Sequence, residues 1–90
     1  MRTYLRAKIK GIVTGTDLNY EGSLTLGSDF FEQGGFEEGE QVDVVNLNNG
    51  ARFTTYVIRS PVLQQIVLNG AAARLGQIED KVIVMAWEIR

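Results

Sequence analysis

Short segments in which apolar and polar residues alternate, separated by glycine-containing turns, constrain this chain more than any other feature of its sequence. From Leu5 to Lys10 every second residue is apolar and the residues between them are basic, which is the period of a β-strand with two unlike faces. Ten glycines and a single proline punctuate similar segments along the 90 residues. Short strands joined by tight turns are typical of sandwiches and barrels, so we expect a compact, mainly β structure, with a barrel favoured.

Five further segments have the composition of strands or apolar runs. They are Ser23–Leu26, Gln41–Leu47, Ala51–Ile58, Gln65–Leu68 and Lys81–Trp87. Residues 48–50 read Asn-Asn-Gly, which predicts a hairpin between the second and third of these segments. Ser28 is placed to cap a short helix through Asp29–Glu32, which Gly34 and Gly35 would end. The residues from Gly11 to Asn19 mix apolar and turn-forming types, and their structure stays open.

The composition excludes several kinds of chemistry. The chain has no cysteine and no histidine, which rules out disulfides, thiolate nucleophiles and a Ser-His-Asp triad and leaves no case for a metal site. Nine basic and eleven acidic residues are dispersed without runs, so no nucleic acid or membrane surface is expected as a partner. No phosphate-binding loop or dinucleotide fingerprint is present. Without a signal-peptide pattern or a membrane-spanning stretch, the expected location is the cytoplasm.

The turn at residues 20–23, which reads Tyr-Glu-Gly-Ser, is the first candidate site. Gly22 permits unusual backbone angles, and Ser23 places a hydroxyl next to the preceding carbonyl. That arrangement is what an N-to-O acyl shift requires. An ordinary turn before a strand has the same residue types, so the dipeptide alone leaves both interpretations open.

A second candidate lies on the return strand of the predicted hairpin. Arg52, Thr54 and Tyr56 are two residues apart and share a face, whereas Thr55 lies on the other face. The arginine could bind a carboxylate through two hydrogen bonds, and the tyrosine could donate a proton. A solvated strand face explains the same spacing, and on spacing alone it is favoured.

Two other segments carry weaker signals. Lys8 could bind an anion, but with Arg6 and Lys10 it also fits a strand face kept soluble by charge. The segment 69–73, Asn-Gly-Ala-Ala-Ala, predicts a turn leading into a short helix whose backbone amides suit an anion or a carbonyl oxygen. Small residues needed for tight packing would give the same pattern.

Four segments together carry a more specific signal. They are Arg2–Lys8 (RTYLRAK), Asp17–Thr25 (DLNYEGSLT), Asn48–Ile58 (NNGARFTTYVI) and Asn69–Arg74 (NGAAAR). In this order and spacing they resemble the aspartate 1-decarboxylase family, which makes β-alanine for pantothenate. The resemblance covers almost the whole chain. It implies one six-stranded double-psi β-barrel domain over residues 1–90 and a homotetramer with active sites between neighbouring subunits. In some members a maturation factor assists.

The resemblance also implies that the chain makes its own cofactor. In the family, the serine hydroxyl attacks the preceding carbonyl to form an ester, and elimination and hydrolysis then leave a pyruvoyl group. Here cleavage would fall between Gly22 and Ser23, with the pyruvoyl derived from Ser23. Thr55 matches the position that assists cleavage.

The same resemblance assigns residues to the decarboxylation of L-aspartate. The pyruvoyl carbonyl forms a Schiff base with the substrate amine and accepts the electrons left when CO2 departs. Arg52 and Lys8 match positions that hold the substrate carboxylates, and Tyr56 matches the proton donor. Residues that shape the pocket or contact carbonyl oxygens are matched by Tyr20, Asn69, Ala71 and Ala72.

Two departures from the family pattern keep other functions open. Lys10 stands where many members have histidine, and the segment Arg59–Gln65 replaces a loop that is usually charged and rich in glycine. A decarboxylase of another amino acid is one alternative. A barrel that never cleaves and serves as a binding or scaffold domain is the other.

Overall fold

The computed structural model describes residues 1–90 and contains seven strands, one α-helix and one 3₁₀ helix. The helices are α1 (Ser28–Gly34) and a 3₁₀ helix at Gly70–Arg74. The strands are β1 (Thr3–Ile12), β2 (Gly15–Asp17), β3 (Ser23–Gly27), β4 (Gln41–Asn46), β5 (Arg52–Ser60), β6 (Ile66–Asn69) and β7 (Lys81–Ile89).

All seven strands form one sheet in the order β1-β7-β4-β5-β3-β6-β2. Most neighbours are antiparallel, but β2 runs parallel to β6, and β3 runs parallel to β5. The two edge strands, β1 and β2, follow each other in the chain and are separated only by Val13 and Thr14. The sheet therefore closes on itself, and the prediction of a mainly β barrel is confirmed.

The predicted number of strands, six, is wrong by one. The additional strand arises because the pairing is interrupted at the bend between β1 and β2. There the backbone N–H of Val13 donates to Asp80 O at 2.9 Å, and that of Thr14 donates to Ile66 O at 2.8 Å. The chain thus changes its hydrogen-bonding partners within two residues. The segment Gly11–Asn19, whose structure the sequence left open, therefore contains a separate strand, β2.

The barrel interior is filled by 16 buried apolar side chains. Alternation along the strands supplies most of them, as with Val42 and Val44 on β4 and Val82 and Val84 on β7. On β3 only Thr25 is partly exposed. This strand lies inside the sheet between β5 and β6, so its first residue, the predicted nucleophile, starts from a buried position.

The turn and helix predictions have mixed outcomes. The hairpin is confirmed, since β4 and β5 are antiparallel and Gly50 adopts a φ of 78° in their connection. The helix also ends as predicted, with Gly35 left-handed at its C-cap. The N-cap prediction is wrong, because Gly27 occupies that position without a side-chain bond and Ser28 is already helical. None of the helices has the length and apolar character needed to span a bilayer.

Candidate active site

A pocket opens where β3 begins. The pairing of β3 with β5 starts at Leu24 and Val57, and its pairing with β6 starts at Ser23 and Asn69. Upstream of Ser23 the chain leaves the sheet as a turn, so the first half of β5 has no strand partner on that side. The resulting pocket has a volume of about 280 Å³. Its lining consists of Gly22, Phe53, Thr54, Thr55, Tyr56, Asn69, Ala71, Ala72 and Leu75.

Ser23 follows the pocket-lining Gly22 but does not itself line the pocket, and it is completely buried. Its hydroxyl donates a hydrogen bond to the backbone carbonyl of Glu21 at 2.9 Å. The same oxygen accepts a hydrogen bond from the side-chain amide of Asn69 at 3.1 Å, and that amide also donates to the Thr25 hydroxyl at 2.8 Å. The serine oxygen is therefore oriented by two partners and excluded from solvent.

The peptide bond before Ser23 links two unlike environments. Gly22 is exposed and lines the pocket, whereas Ser23 is fully buried. The conformational freedom expected of Gly22 is not used, because its φ is not in the left-handed region. This bond therefore lies at the boundary between the open pocket and the packed barrel.

The structure brings Thr55 and Tyr56 to the same pocket although they alternate along β5. Thr55 is half-buried and Tyr56 is exposed, as the period of two requires. Both reach the pocket because it opens along the unpaired edge of the strand and not over a single face. Thr55 and Tyr56 thus lie on opposite faces of β5, as predicted, and both nevertheless line the pocket.

Glu21 is a contact of the site that sequence reasoning did not single out. The hydroxyl of Tyr56 donates to its carboxylate at 3.3 Å. Partial burial raises the pKa of the Tyr56 hydroxyl, and the negative charge and hydrogen bond of Glu21 raise it further. Only its place beside Gly22 could have marked Glu21 in the sequence.

The wall opposite β5 is formed by the end of β6 and the 3₁₀ helix. Asn69 is the last residue of β6 and is buried, and Ala71 and Ala72 follow in the helix. Tyr20 lies in the turn before Gly22 with about half of its surface exposed (51%). Of these four predicted pocket residues, Asn69, Ala71 and Ala72 line the pocket and Tyr20 does not.

Two predicted substrate-binding residues lie away from the pocket within one chain. Lys8 is exposed on β1, which is separated from β5 by β7 and β4 in the sheet. Three strand spacings amount to about 14 Å. Arg52 is exposed at the start of β5 and does not line the pocket. No group of three or more His, Cys, Asp or Glu side chains is arranged to hold a metal ion.

Fold and pocket together define a small β-barrel protein in which a buried serine follows an exposed glycine at the edge of an open pocket. The profile of a protein family described as aspartate decarboxylase matches residues 1–90. An aspartate 1-decarboxylase of Pyrobaculum islandicum is 57% identical over 89 residues, covering 98% of this chain and 73% of the relative. The chain belongs to the aspartate decarboxylase family.

Other curated relatives carry the same name. The aspartate 1-decarboxylase of Maricaulis maris is 47% identical over 87 residues, which are 94% of this chain and 72% of that protein. The aspartate 1-decarboxylase of Caldicellulosiruptor saccharolyticus is 52% identical over 85 residues, which are 92% of this chain and 66% of that protein. The similarity therefore extends over nearly all of the chain in organisms as different as these.

Proposed function

We propose that this protein removes the α-carboxylate of L-aspartate to give β-alanine and CO2, and so serves pantothenate synthesis. It is a carboxy-lyase in this proposal. The observation that carries the proposal is the buried hydroxyl of Ser23, held by Asn69 directly beside a pocket that Tyr56 also lines. Family membership supports the reaction, and the pocket supplies a place for it.

The first step in the proposal is self-cleavage at Gly22–Ser23. The Ser23 hydroxyl oxygen attacks the Gly22 carbonyl carbon, the amide C–N bond breaks, and the freed Ser23 nitrogen takes up a proton. Elimination then releases the Gly22 carboxylate and leaves dehydroalanine, which takes up water, loses ammonia and becomes a pyruvoyl group. The residues fit this chemistry, because the nucleophile is already oriented and shielded from water.

A pyruvoyl group at this position supplies an electron sink for the charge left when CO2 departs. Asn69 holds the oxygen of Ser23 in place before the attack. Thr55, which faces the pocket with Gly22, would polarise the Gly22 carbonyl. Tyr56 would deliver the proton to the substrate carbon, because a tyrosine hydroxyl, whose usual pKa is 10.0, is protonated at neutral pH. Ala71 and Ala72 shape the wall, and Tyr20 flanks the scissile turn.

The substrate carboxylates need cations that the pocket of one chain does not contain. We propose that Lys8 and Arg52 supply them and that Lys8 comes from a neighbouring copy in a homotetramer. Both side chains are exposed and make no ion pair within the chain. A site shared between copies would bring the exposed face of β1 against the open pocket. The cytoplasm as location and a maturation factor as helper remain parts of this proposal.

The intact mass of the purified and incubated protein tests the proposal directly. We expect two fragments, residues 1–22 and a pyruvoyl-headed 23–90, and CO2 release when L-aspartate is added. Ser23→Ala should abolish both. Ser60→Ala is the matched control, because Ser60 is also buried and hydrogen-bonded but lies at the far end of β5. A chain that stays whole after long incubation with heating and a maturation factor would refute the proposal.

A second variant tests the carboxylate assignment. Arg52→Ala should cleave at the wild-type rate but lose turnover of aspartate, because the arginine holds the substrate and not the scissile bond. Unchanged kinetics in this variant would show that another cation binds the carboxylate.

A further inference from the structure

Gly70, the first residue of the 3₁₀ helix, is in direct contact with the turn that carries the scissile bond. It is buried and adopts a left-handed φ of 65°. A Cβ atom added to Gly70 would lie 2.8 Å from both the N and the Cα of Gly22, and 3.0 Å from the carbonyl oxygen of Tyr20. All three are backbone atoms, so no side-chain rotation could relieve the clash.

The glycine at the scissile bond is less constrained. A Cβ atom added to Gly22 would meet nothing within 4 Å, and its φ is not left-handed. The steric requirement for a residue without a side chain therefore falls on Gly70, which is 48 residues further along the chain. A glycine that contacts the backbone of another segment this closely sets how near the two segments approach.

Asn69 and Gly70 act on the two reacting partners from adjacent positions. The Asn69 side chain donates to the Ser23 hydroxyl, while the backbone of Gly70 supports Gly22. We propose that Gly70 is a positioning residue for self-cleavage, and that the closeness of its bare backbone to Gly22 holds the scissile carbonyl in reach of the serine hydroxyl. This inference rests on the proposed function and extends it to a residue that touches neither substrate nor cofactor.

The effect of Gly70 on the rate would come through geometry. The attack needs the hydroxyl oxygen and the carbonyl carbon in near-attack contact, and a displacement of about 1 Å can slow such a reaction about 100-fold. A methyl group on Gly70 must push the turn outward, because contacts under 3.0 Å between a Cβ and backbone atoms are not tolerated. Ser23 would stay in place, since β3 is paired on both sides.

The experiment compares Gly70→Ala with Gly50→Ala and Gly39→Ala. Gly50 and Gly39 have left-handed φ values of 78° and 81°, and an added Cβ at either position meets nothing within 4 Å. The three variants therefore share the backbone strain of a left-handed alanine, and only Gly70→Ala adds the clash with the turn. Cleavage is followed by mass spectrometry at a temperature at which circular dichroism shows every variant to be folded.

We expect Gly50→Ala and Gly39→Ala to cleave within about twofold of the wild type and Gly70→Ala to cleave ten- to about 100-fold more slowly. Hydroxylamine locates the affected step. It attacks the ester formed by the acyl shift, releases a Gly22 hydroxamate and restores Ser23. It should therefore accelerate cleavage of the wild type and have little effect on Gly70→Ala, in which slow formation of the ester limits the rate.

A third readout follows the position of the turn. In a Ser23→Ala background, amide hydrogen exchange of residues 20–22 should rise on Gly70→Ala, while exchange in β4 and β7 stays unchanged. Cleavage of Gly70→Ala at the rate of Gly50→Ala would overturn the inference. So would failure of Gly70→Ala to fold where the two controls fold, because the cost would then lie in the barrel and not in the turn. If the wild type itself does not cleave, the proposed function fails instead.

Discussion

Two buried asparagines, at the ends of β4 and β6, illustrate how the same side chain can serve the fold or the proposed site. Asn46 ends β4 and is 1% exposed, and Asn69 ends β6 and is 2% exposed. Each is the last residue of a strand, and each must satisfy a buried amide. They differ in what they bind.

Asn46 binds the connections around it. Its amide nitrogen donates to Leu75 O at 3.2 Å and to the Asp80 carboxylate at 2.8 Å. Its amide oxygen accepts from the backbone N–H of Asn48 at 2.8 Å and of Asn49 at 3.4 Å. All of these partners are backbone groups or a carboxylate in neighbouring turns, so this residue fixes the shape of the chain.

Asn69 binds hydroxyl groups instead. Its amide nitrogen donates to Ser23 and Thr25, both on β3. Neighbouring backbone does not depend on these bonds, since β3 and β6 are already paired through their main chains. Under the proposed function the amide of Asn69 orients the nucleophile, whereas the amide of Asn46 holds the turns around it.

The largest effect that this contrast predicts is on cleavage. Asn69→Ala should slow self-cleavage about 100-fold, because the Ser23 oxygen loses the donor that orients it. The rate is measured by the appearance of residues 23–90 in mass spectra. The melting temperature of the variant serves as a check that the barrel is intact. Cleavage of Asn69→Ala at the wild-type rate would show that Asn69 does not assist the reaction.

Asn46→Ala should have its effect on stability. The free energy of unfolding is expected to fall by roughly 2–4 kcal/mol, because four hydrogen bonds of a fully buried side chain are lost. Urea denaturation in a Ser23→Ala background measures this without interference from cleavage. The folded fraction of Asn46→Ala with an intact Ser23 should still cleave at the normal rate. A slow rate there would show that the two regions are coupled.

The titration of Tyr56 gives a smaller effect at the site. Partial desolvation is the larger cause of the raised pKa of Tyr56, and the Glu21 carboxylate raises it further. Glu21→Gln should therefore move this pKa down towards its usual value of 10.0. Absorbance of the phenolate near 295 nm, followed as pH rises, detects the shift in a Ser23→Ala background. Tyr56→Phe identifies which of the three tyrosines is responsible. A titration unchanged by Glu21→Gln would mean that the contact is not formed in solution.

The smallest effect concerns acid. The hydrogen bond from Asn46 lowers the pKa of Asp80 below its usual value of 3.8, and the backbone N–H of Gln77 adds to this. A carboxyl group with a lowered pKa stabilises the fold above its unfolded pKa, and this contribution is lost as pH falls through the folded pKa. Stability should therefore decline below about pH 4.

Asp80→Asn should flatten part of this acid decline. Asp29 has a lowered pKa as well, through the backbone N–H of Gln64, so Asp29→Asn is the companion variant. Urea midpoints between pH 2 and pH 6 separate the two contributions. An acid decline of full size in Asp80→Asn would contradict the assignment to the Asn46 region.

Much of the fold could be predicted from local pattern. Alternation marks the strands because it reflects one buried and one exposed face, and the Asn-Asn-Gly turn marks its hairpin because a left-handed residue is needed there. The additional strand and the Gly27 cap could not be predicted in this way. Both depend on which distant segment the backbone meets, and Thr14 meets Ile66 across 52 positions.

The site was predictable to a similar degree. The resemblance pointed to Ser23 and to six of the residues that line the pocket, because they belong to short recognisable segments, but not to Phe53, Thr54 or Leu75. It did not single out Gly70, although that residue lies within one of the quoted segments, nor did it single out Glu21. Their contacts with the turn and with Tyr56 exist only after the barrel has formed.

The bend that closes the barrel has a consequence for a chain that has been cut at Gly22–Ser23. The segment before the cut contains β1, which is hydrogen-bonded to β7, and β2, which is hydrogen-bonded to β6, so it supplies both edge strands of the sheet. Severing one peptide bond would leave this segment embedded, but it would turn the protein into an association of two polypeptides. After denaturation, reassembly would become a second-order process that slows on dilution, whereas an uncut chain refolds at a rate independent of its concentration.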